Sequence, residues 1–200
     1  MKTIQKFLWG LIALAVLGIG ISAIKMPNKQ TITTQHIISP NSINWNFSLI
    51  SHKGKTITDK DFPEQWRLVF FGFTYCPEVC PLTMTKITEI MNELGPLTER
   101  IQPLFISIDP QRDTPERLAE YLDHFHSKII GLTGSNEEIK AVTDNFKAYY
   151  FKPDNSSEDY VVDHSSSMYL FNTRGDLEEL YSFDKNIKEI ELSLKGYLSE

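Results

Sequence analysis

Cysteine is nearly absent from this 200-residue chain, which carries only Cys76 and Cys80. One disulfide at most can form, and a staple closing so short a loop would stabilise little through chain entropy. Acid is absent from positions 1–58, which hold six Lys, so the other 14 basic residues face all 26 acidic ones over 59–200, a net of −12. So acidic a body argues against nucleic-acid binding and suits either a cationic partner or plain solvation. Internal repeats and low-complexity tracts are lacking too. What is present, 41% apolar and 12% aromatic residues, is enough for a real core in one domain of ordinary size plus an appendage.

Charge is missing altogether from residues 7–24, an apolar run preceded by Lys2 and Lys6. As a helix it spans about 27 Å, close to the hydrocarbon thickness of a bilayer. A cleaved signal peptide is the competing reading, with the small residues 20–23 as its cleavage site. The run is longer than the usual signal core and no cysteine follows it for lipidation, so residues 1–24 are expected to be an uncleaved single-pass anchor. Lys25 and Lys29 flank its other end, so the positive-inside bias is slight. Residues 25–44 turn to Thr, Gln, Asn, Ser and Pro, the composition of a tether. The globular part is expected over 45–200.

That part alternates strand and helix signals, an α/β pattern. Residues 45–50 and 55–58 flank His52-Lys53-Gly54 as a hairpin, and residues 68–71 read as a fully buried strand. A helix from Pro81 repeats Met84, Ile87, Met91 and Leu94 until Gly95-Pro96 stops it. Residues 103–108 form the next strand candidate. Thr114-Pro115-Glu116 opens a helix with Leu118, Tyr121, Leu122 and Phe125 on its apolar face. Residues 129–132 are extended, and the capping box Ser135-x-x-Glu138 opens a helix over 135–150. Residues 152–159 read as a loop, 160–162 and 168–171 as extended, 172–175 as a turn and 177–183 as its hairpin partner. Asp184 is expected to cap a last amphipathic helix.

The chemistry concentrates in Val69-Phe70-Phe71-Gly72-Phe73-Thr74-Tyr75-Cys76-Pro77-Glu78-Val79-Cys80-Pro81. Both cysteines fall in a strand-to-helix turn, where unpaired N–H groups favour a thiolate, and Gly72 permits a turn or a close approach. If the first helical turn reaches back through Glu78, the four-residue spacing puts both sulfurs on one face, close enough to share a metal or close a disulfide. Inert buried thiols are the bland alternative.

Two thiolates leave most metal sites incomplete, and five histidines are available. His36 in the tether and His52 at a hairpin tip read as solvent-exposed, while His124 and His126 sit near a helix end, where they suit the dipole. His164 stands in the polar bend Asp163-His164-Ser165-Ser166-Ser167, a natural place for a ligand. Two soft thiolates with one imidazole favour Cu(I), since zinc would want a fourth ligand. Met84 offers a thioether but suits the core better, and Asp109, at a strand end, is either a supporting group or a cap.

Taken together, residues 70–81, Ser107-Ile108-Asp109-Pro110-Gln111-Arg112-Asp113-Thr114-Pro115 and Val162-Asp163-His164-Ser165 resemble the Sco/SenC family of membrane-anchored copper proteins. The likeness covers roughly residues 45–198. It implies a thioredoxin-like domain with an N-terminal β-hairpin, held on the extracytoplasmic side of a membrane by one helix. It also implies copper, as Cu(I) or Cu(II), bound by Cys76, Cys80 and His164 with Asp109 in support. The role implied is assembly of the binuclear copper centre of cytochrome c oxidase, with the oxidase's copper-receiving subunit, other copper chaperones or thiol reductases as partners. Phe73 and Glu78 replace the family's commoner Tyr and Asp, and residues 62–67 are less typical. A thiol-disulfide reductase acting on the oxidase's copper-ligand cysteines is the alternative. Against a general oxidoreductase stand the longer Cys-x-x-x-Cys spacing and the lack of any proline after Pro153 to face it.

Overall fold

Two parallel strands, β3 (Trp66–Gly72) and β4 (Ile101–Ser107), form the middle of the sheet in this computed structural model, which describes residues 43, 45–151, 160 and 162–199. The expected anchor at 7–24, most of the tether and the loop at 152–159 lie outside the described residues. Among those described, no helix is long and apolar enough to cross a membrane. Every residue of β4 and all but the first of β3 are buried, so both faces of this pair are covered, the usual condition of parallel strands. Leu68, Val69, Phe70 and Phe71 are each at most 1% exposed. Burial of that kind contributes about 1.5–3 kcal/mol per side chain.

The remaining strands are β1 (Ser48–Ser51), β2 (Thr56–Thr58), β5 (Ile130–Thr133), β8 (Met168–Phe171) and β9 (Leu177–Tyr181), giving a seven-stranded sheet in the order β2-β1-β5-β4-β3-β8-β9. The hairpin β1–β2 joins it through antiparallel pairing of β1 with β5. A separate two-stranded ribbon pairs β6 (Tyr150–Phe151) with β7 (Asp163–His164). Helix α1 (Val79–Leu94) makes the crossover from β3 to β4 that parallel strands require. Helices α2 (Pro115–Leu122), α3 (Asn136–Phe146) and α4 (Ile187–Leu198) complete the mixed α/β architecture.

Register decides where the chemistry collects. Gly72 pairs with Ser107 at the ends of β3 and β4, so the loops leaving both strands emerge side by side. Strand β8 runs antiparallel to β3 with Met168 opposite Phe70, so the chain entering β8 arrives at the same end. The carboxyl ends of parallel strands are the usual ligand-binding edge of such sheets.

Several boundaries differ from the sequence reading. Helix α1 begins at Val79 rather than Pro81, with Glu78 as N-cap, which places Cys80 inside its first turn. Helix α3 opens with the expected Ser135–Glu138 capping box but stops at Phe146, because Lys147 takes a left-handed conformation at φ 54. Tyr150 is therefore not helical and pairs with His164. Asn186, not Asp184, caps α4, its side chain accepting from the Lys188 N–H.

Candidate metal centre

Cys76 lies in the loop between β3 and α1, half-buried, and Cys80 is fully buried one turn further on. The Cys80 N–H, one of the free donors of a helix start, points at Cys76 Sγ at 3.3 Å. Gly72 makes room for this packing: a Cβ there would stand 2.8 Å from Cys80 Sγ and 2.7 Å from Cε2 of Phe105. The close approach expected of Gly72 is thus made to the sulfur itself.

His164 stands not in an irregular bend but in β7, opposite Tyr150. The Ser165 N–H closes the ribbon onto the Tyr149 carbonyl at 2.9 Å. His164 Nδ1 lies 3.0 Å from the Ser165 carbonyl, which can only accept, so Nδ1 carries the proton and Nε2 presents a lone pair. That nitrogen sits 3.4 Å from Cys80 Sγ. Phe73 meets the imidazole edge-on at 5.7 Å and Phe70 lies 6.2 Å away, so two aromatic rings pack near it. One ligand atom each from Cys76, Cys80 and His164 lies within 4.8 Å of the others, and no other cluster of metal-ligand type occurs among the described residues.

The sulfurs are electrostatically unequal. The Cys80 thiol, above all, holds Cys76 down to about 3; the N–H groups of Cys80 and Glu78 assist, against the opposing effect of burial. Cys80 is pushed far up by the Cys76 sulfur, by burial and by that neighbour's negative charge. The pair therefore shares one proton, held on the buried sulfur of Cys80, and offers a half-exposed thiolate at Cys76.

Asp109, the expected supporting residue, is fully buried and is not among the clustered ligands. Its carboxylate takes the Arg112 Nε–H on one oxygen and the Tyr160 hydroxyl on the other. Sequence reasoning passed over its neighbour Asp113, which accepts from the Thr74 N–H at 3.0 Å, the Thr74 hydroxyl at 2.7 Å and the Ser107 hydroxyl at 2.6 Å. Burial raises the Asp113 carboxyl, and those hydrogen bonds pull it back. The signal was in the sequence, an acid four residues beyond the strand-end Asp109, but its partner Thr74 lies 39 positions away.

The other candidates stay apart from the site. His52 is half-buried rather than exposed, its Nδ1 accepting from the Gly131 N–H at 3.1 Å, and burial lowers its pKa. His126 Nδ1 accepts from the Lys128 N–H, and His124 is exposed. Met84 is fully buried in the core, and His36 lies outside the described residues.

Against known proteins, a family model described as SCO1/SenC matches residues 35–199. An SCO2-like protein of Rickettsia felis is 39% identical over 90% of this chain and 92% of its own. The mitochondrial SCO1 homolog of Homo sapiens is 41% identical over 76% of this chain, which spans about half (52%) of that relative. The structure of Bradyrhizobium japonicum ScoI with copper bound aligns at TM-score 0.72 and 34% identity, covering 78% of this chain and 99% of that one. The mixed α/β sheet is the thioredoxin-like fold of such structures.

Proposed function

Since the chain belongs to the SCO1/SenC family, we propose that it binds copper through Cys76, Cys80 and His164 and hands it to the copper-receiving subunit of cytochrome c oxidase. The observation that carries this reading is the His164 lone pair held 3.4 Å from Cys80 Sγ by a hydrogen bond on the far side of the ring. Ligands about 2.1–2.3 Å from an ion stand about 4 Å apart in a trigonal arrangement, so atoms that here lie within 4.8 Å of one another, the closest cited pair at 3.4 Å, need only small shifts. Two thiolates and one imidazole suit Cu(I), and the same set can hold Cu(II). A three-ligand site also leaves a side from which a recipient's ligands can enter one at a time. Asp109 supports the site from outside the ligand set, and residues 7–24 hold the domain on the extracytoplasmic face of the membrane, where the recipient centre lies.

Cu(I) titration of the reduced chain, comparing Cys76→Ala, Cys80→Ala and His164→Ala, tests the site. Each variant is expected to bind more weakly, and unchanged affinity in either cysteine variant would sink the assignment. Protein whose two cysteines are joined in a disulfide is expected to take up no copper until reduced.

A second reading has its own support in the inequality of the sulfurs. A half-exposed Cys76 thiolate can attack a recipient's disulfide to form a mixed disulfide. Cys80, once deprotonated, then attacks Cys76 and releases the recipient as a dithiol, two electrons having passed from the pair. His164 adds little to that exchange, whereas a copper donor requires it. In cells lacking the wild-type chain, His164→Ala is expected to leave the oxidase without copper but with its copper-ligand thiols reduced. Normal assembly in that strain, with recipient thiols oxidised in a Cys76→Ala strain, would favour reduction as the main role.

A further inference from the structure

Copper binding as proposed above needs two segments far apart in sequence to stay in register, the cysteine loop after β3 and the chain that enters β7. The turn from Asp109 to Asp113 touches both. Asp113 fixes the cysteine loop through Thr74. On the other side, the Arg112 guanidinium lies 3.7 Å from the Tyr160 ring centre and donates from Nη2 to the Tyr160 carbonyl at 3.2 Å. Tyr75, adjacent to Cys76, lies 4.8 Å from the same guanidinium, and Phe73, the ring set edge-on to His164, lies at 5.8 Å. Asp109 completes the arrangement by accepting from both Arg112 and the Tyr160 hydroxyl. The Arg112 side chain is only 16% exposed, so this charge is held in place rather than waving in solvent.

We propose that Arg112 is a positioning residue for metal binding: its guanidinium clamps the chain leading into His164 onto the cysteine loop, and the imidazole stays over the sulfurs because of it. The proposal rests on the copper reading but assigns a role to a side chain that ligates nothing. The planar fork is what the geometry uses. It stacks on aromatic rings while donating in its own plane to Asp109 and Tyr160, which a lysine ammonium cannot do. Outer partners that orient a histidine ligand are typically worth on the order of 10- to 100-fold in metal affinity.

The test is Cu(I) affinity of the full reduced chain, measured against a chromophoric chelator, for wild type, Arg112→Ala, Arg112→Lys, His164→Ala and the double variant Arg112→Ala/His164→Ala. The rate of Cys76 alkylation and the nitrogen coupling in the Cu(II) electron paramagnetic resonance spectrum are read alongside. Both Arg112 variants are expected to lose on the order of tenfold or more in affinity, with the imidazole coupling weakened and Cys76 alkylation unchanged. The double variant should bind no more weakly than His164→Ala alone, since Arg112 acts through the imidazole. Wild-type affinity in Arg112→Lys would show that charge alone suffices and overturn the clamp. Additive losses in the double variant would show a general effect on the fold and overturn it equally. His164→Ala binding like wild type would instead overturn the copper site itself, whereas a weak His164→Ala beside a normal Arg112→Ala removes only the clamp.

Discussion

Gly72 shows how little freedom the site leaves. A methyl group placed there overlaps Cys80 Sγ and the Phe105 ring, both buried, so neither can swing into solvent. Gly72→Ala is expected to cost about 1–3 kcal/mol, the usual range for overpacking, and to shift Cys80 Sγ away from His164. Urea denaturation and Cu(I) competition on the same sample check both effects. Cys76 yields a pH prediction. The thiolate is the form that reacts, and a pKa held near 3 keeps it present far below the range of an ordinary thiol. Alkylation of Cys76 in the metal-free chain is therefore expected to stay nearly level from pH 8 to pH 5 and to fall only as pH approaches 3. An ordinary thiol would lose about tenfold per pH unit over that span, reflecting its pKa of about 8.5. Cys80, with its proton retained and its sulfur buried, is expected to label slowly throughout. Tenfold losses per unit at Cys76 would show that the two sulfurs do not share one proton.

His164 rides on the smallest element of the fold, a ribbon of two residues per strand outside the seven-stranded sheet. Ser165 serves this ribbon twice, its N–H closing onto Tyr149 and its carbonyl fixing the imidazole. Ser165→Pro removes that N–H and restricts the conformation of His164. It is expected to weaken Cu(I) binding to the level of His164→Ala while lowering stability by only about 1 kcal/mol, one net hydrogen bond. Isothermal titration and thermal melting, taken together, separate the two. Strong local signals made much of the chain legible in advance. The run 68–71 had to be a buried strand, Thr114-Pro115 and Ser135-x-x-Glu138 cap helices in the structure as they do in the sequence, and Gly95 ends α1. What stayed hidden was pairing at a distance. Tyr150 reads as the tail of a helix until Lys147 turns left-handed and β7 supplies a partner. His52 reads as a hairpin tip until the Gly131 N–H is found 79 positions away. The two cysteines and His164 were legible as candidate ligands by residue type, but Asp113 and the Arg112 stack were not, because their meaning lies in partners contributed by other segments.

The sheet separates stability from chemistry along its length. The six steps between the first and last of the seven residues of β3, at about 3.3 Å each, span about 20 Å between the end that carries the cysteines and the end where Arg67 enters. At that far end Trp45 packs on Phe171 at 4.8 Å, Phe47 at 5.2 Å and Phe146 at 5.3 Å. The buried Arg67 guanidinium lies over its ring at 4.5 Å, and burial lowers that group to about 10. Gly175, at φ 90, leaves space that a Cβ would take from Trp45. Arg67 Nη1 donates to the Gln65 carbonyl at 2.6 Å while Nε has no hydrogen-bond partner, so the Trp45 face shares in stabilising this cation. Trp45→Ala is accordingly expected to destabilise the chain by about 3 kcal/mol, the low end for removing a packed tryptophan. None of these residues belongs to the Cys76, Cys80 and His164 cluster or to the turn that braces it. The variant should therefore bind Cu(I) as tightly as wild type at temperatures where it is folded. Urea midpoints with and without Cu(I) would show a parallel loss in both states. A loss of copper affinity comparable to that of His164→Ala would mean that the two ends of the sheet are coupled through β3 and that the site depends on distant packing.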